Sequence, residues 1–173
     1  MNTLEATFSR HSVRSYTGES ITEEELQTIL KAANAAPVGM AKYDTVHLTV
    51  IKDKELLQQI DHQAAQFFGD LKIHPLYGAP MLVLISATQP TGNVSFSNTA
   101  IIAHNMALAA AELKVGACYI WGAVAAVNGS KEVLEKLRLP QGFEVCCGVI
   151  LGKTTEVYEE REIPQDRIQT TYL

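Results

Sequence analysis

The sequence has few cysteines and lacks the short motifs that mark several common enzyme classes. Its three cysteines, Cys118, Cys146 and Cys147, show no CxxC spacing, which argues against a metal site or a disulfide framework. We interpret them as reduced residues of the core, as is typical of a cytoplasm-like compartment. The chain also contains no GxSxG elbow, no GxGxxG fingerprint and no Walker loop. Hydrolase, Rossmann-type dinucleotide and P-loop chemistry therefore have no support.

Excess positive charge and long apolar runs are also lacking. The 14 basic and 19 acidic side chains give a net charge of -5, which argues against a surface for nucleic acid or anionic lipid. The first residues lack the pattern of a secretion signal, and the uncharged run 115–130 is too short for a membrane span. We expect a soluble, cytoplasmic protein. With 173 residues and 47% apolar content, residues 1–173 are expected to form one domain.

The spacing of apolar residues predicts an α+β fold with helices on both faces of a sheet. A short helix capped by Asn2 or Thr3 is followed by a helix that begins with a capping box at Thr22 and stops before Pro37. The remaining predicted elements are strand 45–51, a helix capped by Asp53, strand 80–86, helix 97–114, strand 117–121, helix 130–138 and strand 143–152.

The helix predicted for residues 97–114 is apolar around nearly its whole circumference. Such a helix must be buried on all sides, and the sheet of a small domain covers only one of them. A second copy of the chain is the favoured cover, and the C-terminal segment or the helix 130–138 is the alternative. Residues 154–173 are too polar for a core element. Their apolar residues are spaced like the anchors of an extended arm, which we expect to lie on a partner subunit: Tyr158, Ile163, Ile168, Tyr172 and Leu173.

The stretch SRHSVRSY, residues 9–16, concentrates hydrogen-bond donors in an acidic chain. Arg10, Ser12 and Arg14 suit a phosphate or an electron-rich carbonyl, because guanidinium and hydroxyl groups donate hydrogen bonds to such oxygens. From spacing alone a solvated basic loop is the better interpretation, with partners such as Glu19 or Glu23–Glu25. His104 is expected to be a core histidine, and His47, His62 and His74 show no ligand spacing.

Six segments, taken in order, resemble the flavin-dependent nitroreductase family. They are the RHSVRSY opening at 10–16, the helix end AAP at 35–37, NMALAA at 105–110, GACYIWG at 116–122, GVILG at 148–152, and Arg161 ahead of Ile163-Pro164. Each segment is weak by itself, and the ordered set covers most of the chain.

The resemblance implies a mainly antiparallel central sheet flanked by helices, in an intertwined homodimer that holds FMN at its interface. Arg10 and Arg161 would hold the FMN phosphate, with His11 and Ser12 nearby, while Arg14 would face the N1 and O2 edge of the flavin ring. Ile120, Trp121 and Gly122 would lie where the family turns main-chain amides toward N5 and O4, although Trp121 could equally be a core residue. Pro37, Val38, Gly39 and Met40 would come from the other subunit.

By this resemblance the protein is an FMN-dependent NAD(P)H oxidoreductase with a ping-pong cycle, no catalytic side chain and no metal. NADH or NADPH would be the reductant, and a nitroaromatic or quinone would be the small-molecule acceptor. Val38, Ala41, Tyr43–Thr45 and Glu159 depart from the family pattern. These departures motivate two alternatives: a flavin-binding sensor or carrier with little reductase activity, and a dimeric interaction module without flavin.

Overall fold

A computed structural model describes residues 2–88 and 93–173 of the chain. Its helices are α1 (Thr3–Ser9), α2 (Glu23–Asn34), α3 (Lys54–Phe68), α4 (Val94–Glu112), α5 (Gly122–Gly129) and α6 (Lys131–Leu137). Its strands are β1 (Val46–Ile51), β2 (Met81–Thr88), β3 (Gly116–Ile120) and β4 (Phe143–Gly152). Two short 3₁₀ turns, Gly39–Ala41 and Tyr43–Thr45, lie between α2 and β1.

The strands form one sheet in the order β1-β2-β4-β3, and all of its pairs are antiparallel. The predicted antiparallel sheet is therefore confirmed. The central strand β2 is buried along Met81–Ala87, as expected for a strand covered on both faces. Strand β3 lies at one edge of the sheet, a position where one side of a strand remains open to other groups.

Helices cover both faces of the sheet. Successive side chains of a strand point to opposite faces, so the apolar residues of β2 pack against helices on both sides. Val83 and Ile85 of β2 pack with residues of α2 and α4 on one face. Leu82 and Leu84 pack with residues of α3, α5 and α6 on the other. The predicted α+β arrangement with helices on both faces is confirmed.

The helix starts follow the predicted caps. The Asn2 side chain caps α1, and Thr22 forms the predicted capping box with Glu25 at the start of α2. Asp53 caps α3 by accepting a hydrogen bond of 2.7 Å from the Leu56 N–H. Local side-chain hydrogen bonds thus define where these helices begin.

Helix α5 has no counterpart among the predicted elements. Its sequence GAVAAVNG carries no charge and no helical apolar stripe, so its periodicity gave no signal. The helix exists because Ala123, Val124 and Val127 are buried in the core on the α3 face of the sheet. Tertiary packing, rather than local propensity, determines this element.

Helix α4 is only partly covered by its own chain. Ile102, Ala103 and Met106 are buried against the sheet and α2. Ile101 is 40% exposed, and His104 lies on the same exposed side. The alternative that the helix now labelled α6 covers α4 is wrong, because α6 packs on the opposite face of the sheet.

Residues 153–173 contain no helix or strand. Tyr158 is partly buried, and its hydroxyl donates to the Val115 carbonyl at 2.8 Å. Farther along, Ile168 is 78% exposed and Tyr172 is 93% exposed. The later anchors therefore find no cover on their own chain. Across the described ranges, we find no helix with the length and apolar character that crossing a membrane demands.

Candidate functional site

The basic stretch forms an extended loop held against the edge strand β3. Val13 is fully buried, and its N–H donates to the Ala117 carbonyl of β3 at 3.0 Å. The Tyr16 hydroxyl donates back to the Val13 carbonyl at 3.0 Å, and the Thr17 N–H donates to Lys153 just after β4. Val13 thus fixes the loop, while its neighbours Ser12 and Arg14 remain at least partly exposed.

A small pocket of about 310 Å³ lies between this loop, α4 and β3. Its polar lining consists of Arg10, Ser12, His104 and Tyr119, the remaining lining residues are alanines, and none of them is acidic. The expectation that His104 is a core histidine is wrong, since it lies on the exposed side of α4. Partial burial, and then the charge of Arg10, lower its pKa below the ordinary value. The small pocket therefore offers a cation and several donors to an anion.

A large cleft of about 1400 Å³ opens between α3, residues 69–80 and the end of β3. The guanidinium of Arg14 lies 5.8 Å from the centre of the Tyr77 ring, a cation–π distance. Tyr77 has a φ of 52°, which is uncommon for a bulky residue and is characteristic of functional sites. A cation and an aromatic ring thus form one wall of the large cleft.

The junction of β3 and α5 also lines the large cleft. Trp121 is 59% exposed, so the alternative of a core tryptophan is wrong. At Gly122 a Cβ atom would lie 2.4 Å from Cζ of Phe68, so only glycine fits beside this ring as it stands. Gly122 begins α5, and no side chain caps that helix end. The first N–H groups of α5 therefore lack a side-chain acceptor.

Tyr119 borders both the small pocket and the large cleft. It is the one exposed residue of β3, so the two cavities meet at the edge of the sheet. Arg10 and Ser12 lie in the small pocket, and Arg14 lies in the large cleft with Trp121. Ile120 and Gly122 also line the large cleft. The structure thus gathers six of the residues named from the sequence around one tyrosine.

His11 and Arg161 are among the predicted site residues that lie outside these cavities. His11 pairs with Glu156, its Nε2 lying 3.2 Å from the carboxylate, and its ring centre lies 4.9 Å from that of Tyr158. Arg161 donates hydrogen bonds to the carbonyl oxygens of Phe8 and Arg10. Its guanidinium therefore joins the beginning of the arm to the end of α1, beside the backbone of Arg10.

The segment Pro37–Met40 lies away from both cavities of its own chain. The Gly39 N–H donates to the Asn98 side chain near the start of α4 at 3.1 Å. Met40 is 82% exposed, and Met40 and Ala41 both have positive φ angles, 55° and 54°. Met40 is thus an exposed apolar residue in a strained backbone conformation.

Two of the acidic residues expected to neutralise the basic loop, Glu23 and Glu25, have other partners. Glu23 pairs with Lys52 at 3.0 Å, and Glu25 pairs with Lys153 at 2.6 Å. Across residues 2–88 and 93–173, no carboxylate forms an ion pair with the guanidinium of Arg10 or Arg14. Both cations remain available to a ligand.

The three cysteines are buried free thiols, as the sequence predicted. Burial raises the pKa of each above the ordinary value, in the case of Cys147 to about 11. Thiols with raised pKa values are poor nucleophiles. The described part of the chain also brings together no group of three or more His, Cys, Asp or Glu side chains suited to a metal ion.

Sequence reasoning missed Tyr77, Tyr119 and His104. The outward register of Tyr119 could have been read from the alternation of β3, whose other residues are buried. Tyr77 gave no signal, because it comes from an irregular segment far from the basic loop in sequence.

Comparisons with known proteins show the family and the fold of the chain. A family model described as the nitroreductase family matches residues 8–153. The chain is 28% identical over 165 residues to the NADPH-flavin oxidoreductase of Vibrio harveyi, with 87% of this chain covered but only 65% of that protein's length. A nitroreductase with bound FMN from Desulfitobacterium hafniense superimposes with a TM-score of 0.87 at 25% identity, covering 100% of this chain and 99% of the other. A nitroreductase with bound FMN from Bacteroides fragilis gives 0.84 at 26%, covering 99% and 100%.

Proposed function

Because this chain belongs to the nitroreductase family, we propose that it is an FMN-dependent NAD(P)H oxidoreductase. The observation that carries the proposal is the placement of two guanidiniums without carboxylate partners, Arg10 and Arg14, in cavities that meet at Tyr119. FMN has a phosphate at one end and a flat ring at the other. A cation in each cavity suits both ends of such a molecule.

The small pocket fits the phosphate end. Arg10 offers a fork of N–H donors, and the hydroxyls of Ser12 and Tyr119 add further donors. No carboxylate among its lining residues would repel a dianion. We assign Arg10 and Ser12 to the phosphate. Arg161 reaches the same region only through the backbone of Arg10, so its contribution is to hold that backbone in place.

The large cleft fits the ring end. Bound FMN would accept a hydride from NAD(P)H at N5 and pass it on to an acceptor. Arg14 would place its positive charge beside the edge of the ring, where negative charge accumulates on reduction. Tyr77 holds that guanidinium by a cation–π contact. The uncapped N-terminus of α5, at Gly122, offers main-chain N–H groups to the ring oxygens.

The large cleft also has room for a second planar molecule over the ring. We propose a ping-pong cycle in which NADH or NADPH leaves before the acceptor enters the same space. Nitroaromatics and quinones are the proposed small-molecule acceptors, because Phe68, Tyr77 and Trp121 line the cleft with aromatic surface. No side chain need act as acid or base, and the residues named here bind, orient and adjust the potential.

We further propose that the active form is a homodimer in the cytoplasm. Ile101 of α4, Met40 and the arm residues Ile168 and Tyr172 are apolar or aromatic groups left exposed by their own chain. A second copy would cover them, give the arm a surface to lie on, and bring Pro37–Met40 against the FMN site of its neighbour. The three free thiols are in keeping with a reducing compartment.

A visible spectrum tests this proposal directly. The purified protein, or protein reconstituted with FMN, is expected to absorb at about 450 nm and to bleach on anaerobic addition of NADH or NADPH. The steady-state rate of quinone reduction should then be comparable with the rate at which NADH or NADPH bleaches the flavin. A yellow protein that bleaches slowly and turns over poorly would favour a flavin carrier or sensor. A colourless protein that cannot bind added FMN would refute the proposal.

A further inference from the structure

Glu156 joins the C-terminal segment to the basic loop. Its Oε1 accepts hydrogen bonds from the main-chain N–H groups of Arg14 and Ser15, each at 3.0 Å. Its Oε2 lies 3.2 Å from Nε2 of His11. One carboxylate therefore contacts three residues of the loop, although it lies more than 140 positions away in sequence.

A second residue of the same segment supports this contact. The Thr154 hydroxyl donates to the Ser15 carbonyl at 2.7 Å and accepts from the Glu156 N–H at 3.0 Å. The segment 154–156 thus forms hydrogen bonds with both the main-chain N–H and the carbonyl of Ser15. Without the carboxylate, the exposed N–H groups of Arg14 and Ser15 would bind water instead, and the loop would lose a contact that fixes its backbone.

The carboxylate is ionised at neutral pH. Its partial burial acts to raise the pKa, but the N–H groups of Arg14 and Ser15 and the contact with His11 outweigh that effect. The net result is a pKa below the ordinary value. The bonds to the loop are therefore charge-assisted and stronger than bonds to a neutral acceptor.

The side chain of Arg14 has two contacts of its own. Its guanidinium lies over the Tyr77 ring and donates a long bond of 3.4 Å to the Ser12 carbonyl, although the residue as a whole is exposed. Both contacts require the backbone at Arg14 to keep its position. That backbone is set by Glu156 through the N–H of Arg14 itself.

We propose that Glu156 is a positioning residue which sets the loop so that Arg14 faces the flavin ring and Arg10 faces the phosphate. This inference rests on the proposed function. It assigns to the first residues of the arm a role in the cofactor site of their own subunit, separate from any contact that the later residues make with a partner. Glu156 lines neither cavity, but its charge also acts on Arg14, so comparing Glu156→Gln with Glu156→Ala separates the loss of charge from the loss of the acceptor.

The test compares the full-length variants Glu156→Ala and Glu156→Gln with the matched control Glu160→Ala. Glu160 is an exposed acid on the same arm, and its removal changes the net charge equally. We expect Glu156→Ala to weaken FMN binding about tenfold and to lower the potential of the bound flavin. Glu156→Gln keeps an oxygen acceptor without the charge, so it should lie between Glu156→Ala and the wild type. Glu160→Ala should match the wild type in both measurements.

Amide hydrogen exchange on FMN-free protein gives a readout that is independent of the cofactor. The amides of Arg14 and Ser15 should exchange faster in Glu156→Ala, while the Val13 amide, bonded to Ala117, should stay protected. If Glu156→Ala does not fold, Glu156→Gln alone decides. Wild-type FMN affinity, potential and exchange rates in the folded variant would overturn the inference. Failure of the wild type itself to bind FMN would instead count against the proposed function.

Discussion

Replacement of Arg14 by methionine should lower the reduction potential of the bound flavin. Methionine keeps most of the length of the side chain and removes its charge. At a contact distance of about 4 Å, a unit charge contributes about 1 kcal/mol in water and about 4 kcal/mol in a setting with an effective dielectric of 20. Because Arg14 is exposed, the lower part of that range applies. An effect of about 1–2 kcal/mol corresponds to about 20–45 mV for a two-electron couple.

The assay is an anaerobic titration against a reference dye, carried out with excess FMN so that the variant stays loaded. Arg14→Lys should retain most of the potential because it keeps the positive charge. Arg138→Met is the matched control, since Arg138 follows α6 and lines neither cavity. Added salt should shrink the difference, because exposed charges are screened. An FMN-loaded Arg14→Met protein with the wild-type potential would refute the role assigned to this residue.

Three further outcomes follow from the structure. Arg10→Gln should raise the Kd for FMN about tenfold or more in equilibrium titrations. An unchanged Kd would contradict the assignment of the FMN phosphate to the small pocket. Gly152→Ala should lower the free energy of unfolding by about 1–3 kcal/mol, because its Cβ would lie 2.6 Å from Cδ of Pro80, whereas Gly129→Ala, with open space, should not. Since the folded-state pKa of His104 lies below 6.5, FMN-free protein should lose stability as the pH falls through that value. Thermal melts at pH 5 and pH 8, about 1.5 pH units either side of the ordinary histidine pKa, measure this loss of stability. The loss should be smaller for His104→Gln than for the wild type.

The sequence was most informative where local rules decide the structure. The strand predicted over residues 143–152 has those bounds, and the caps at Thr22 and Asp53 begin α2 and α3. These features depend on the alternation of side chains and on short-range hydrogen bonds. Helix α5 was missed because its stability comes from burial against distant residues.

The candidate site was predictable in its residue types but not in its full geometry. Arg10, Ser12 and Arg14 were named from their chemistry, and the structure places them at two adjoining cavities. The partners of His11 and Arg161 could not be foreseen, because they come from the opposite end of the chain. Which carboxylate or carbonyl a long side chain meets is decided by the tertiary fold rather than by spacing.

The burial of all three thiols makes the chain a convenient background for site-specific labelling. A maleimide dye or spin label would find no exposed native thiol, so a single cysteine introduced at an exposed arm position such as Tyr172 would carry the probe alone. Distances between two such probes could then report how the arms of neighbouring molecules lie, without first rebuilding the core.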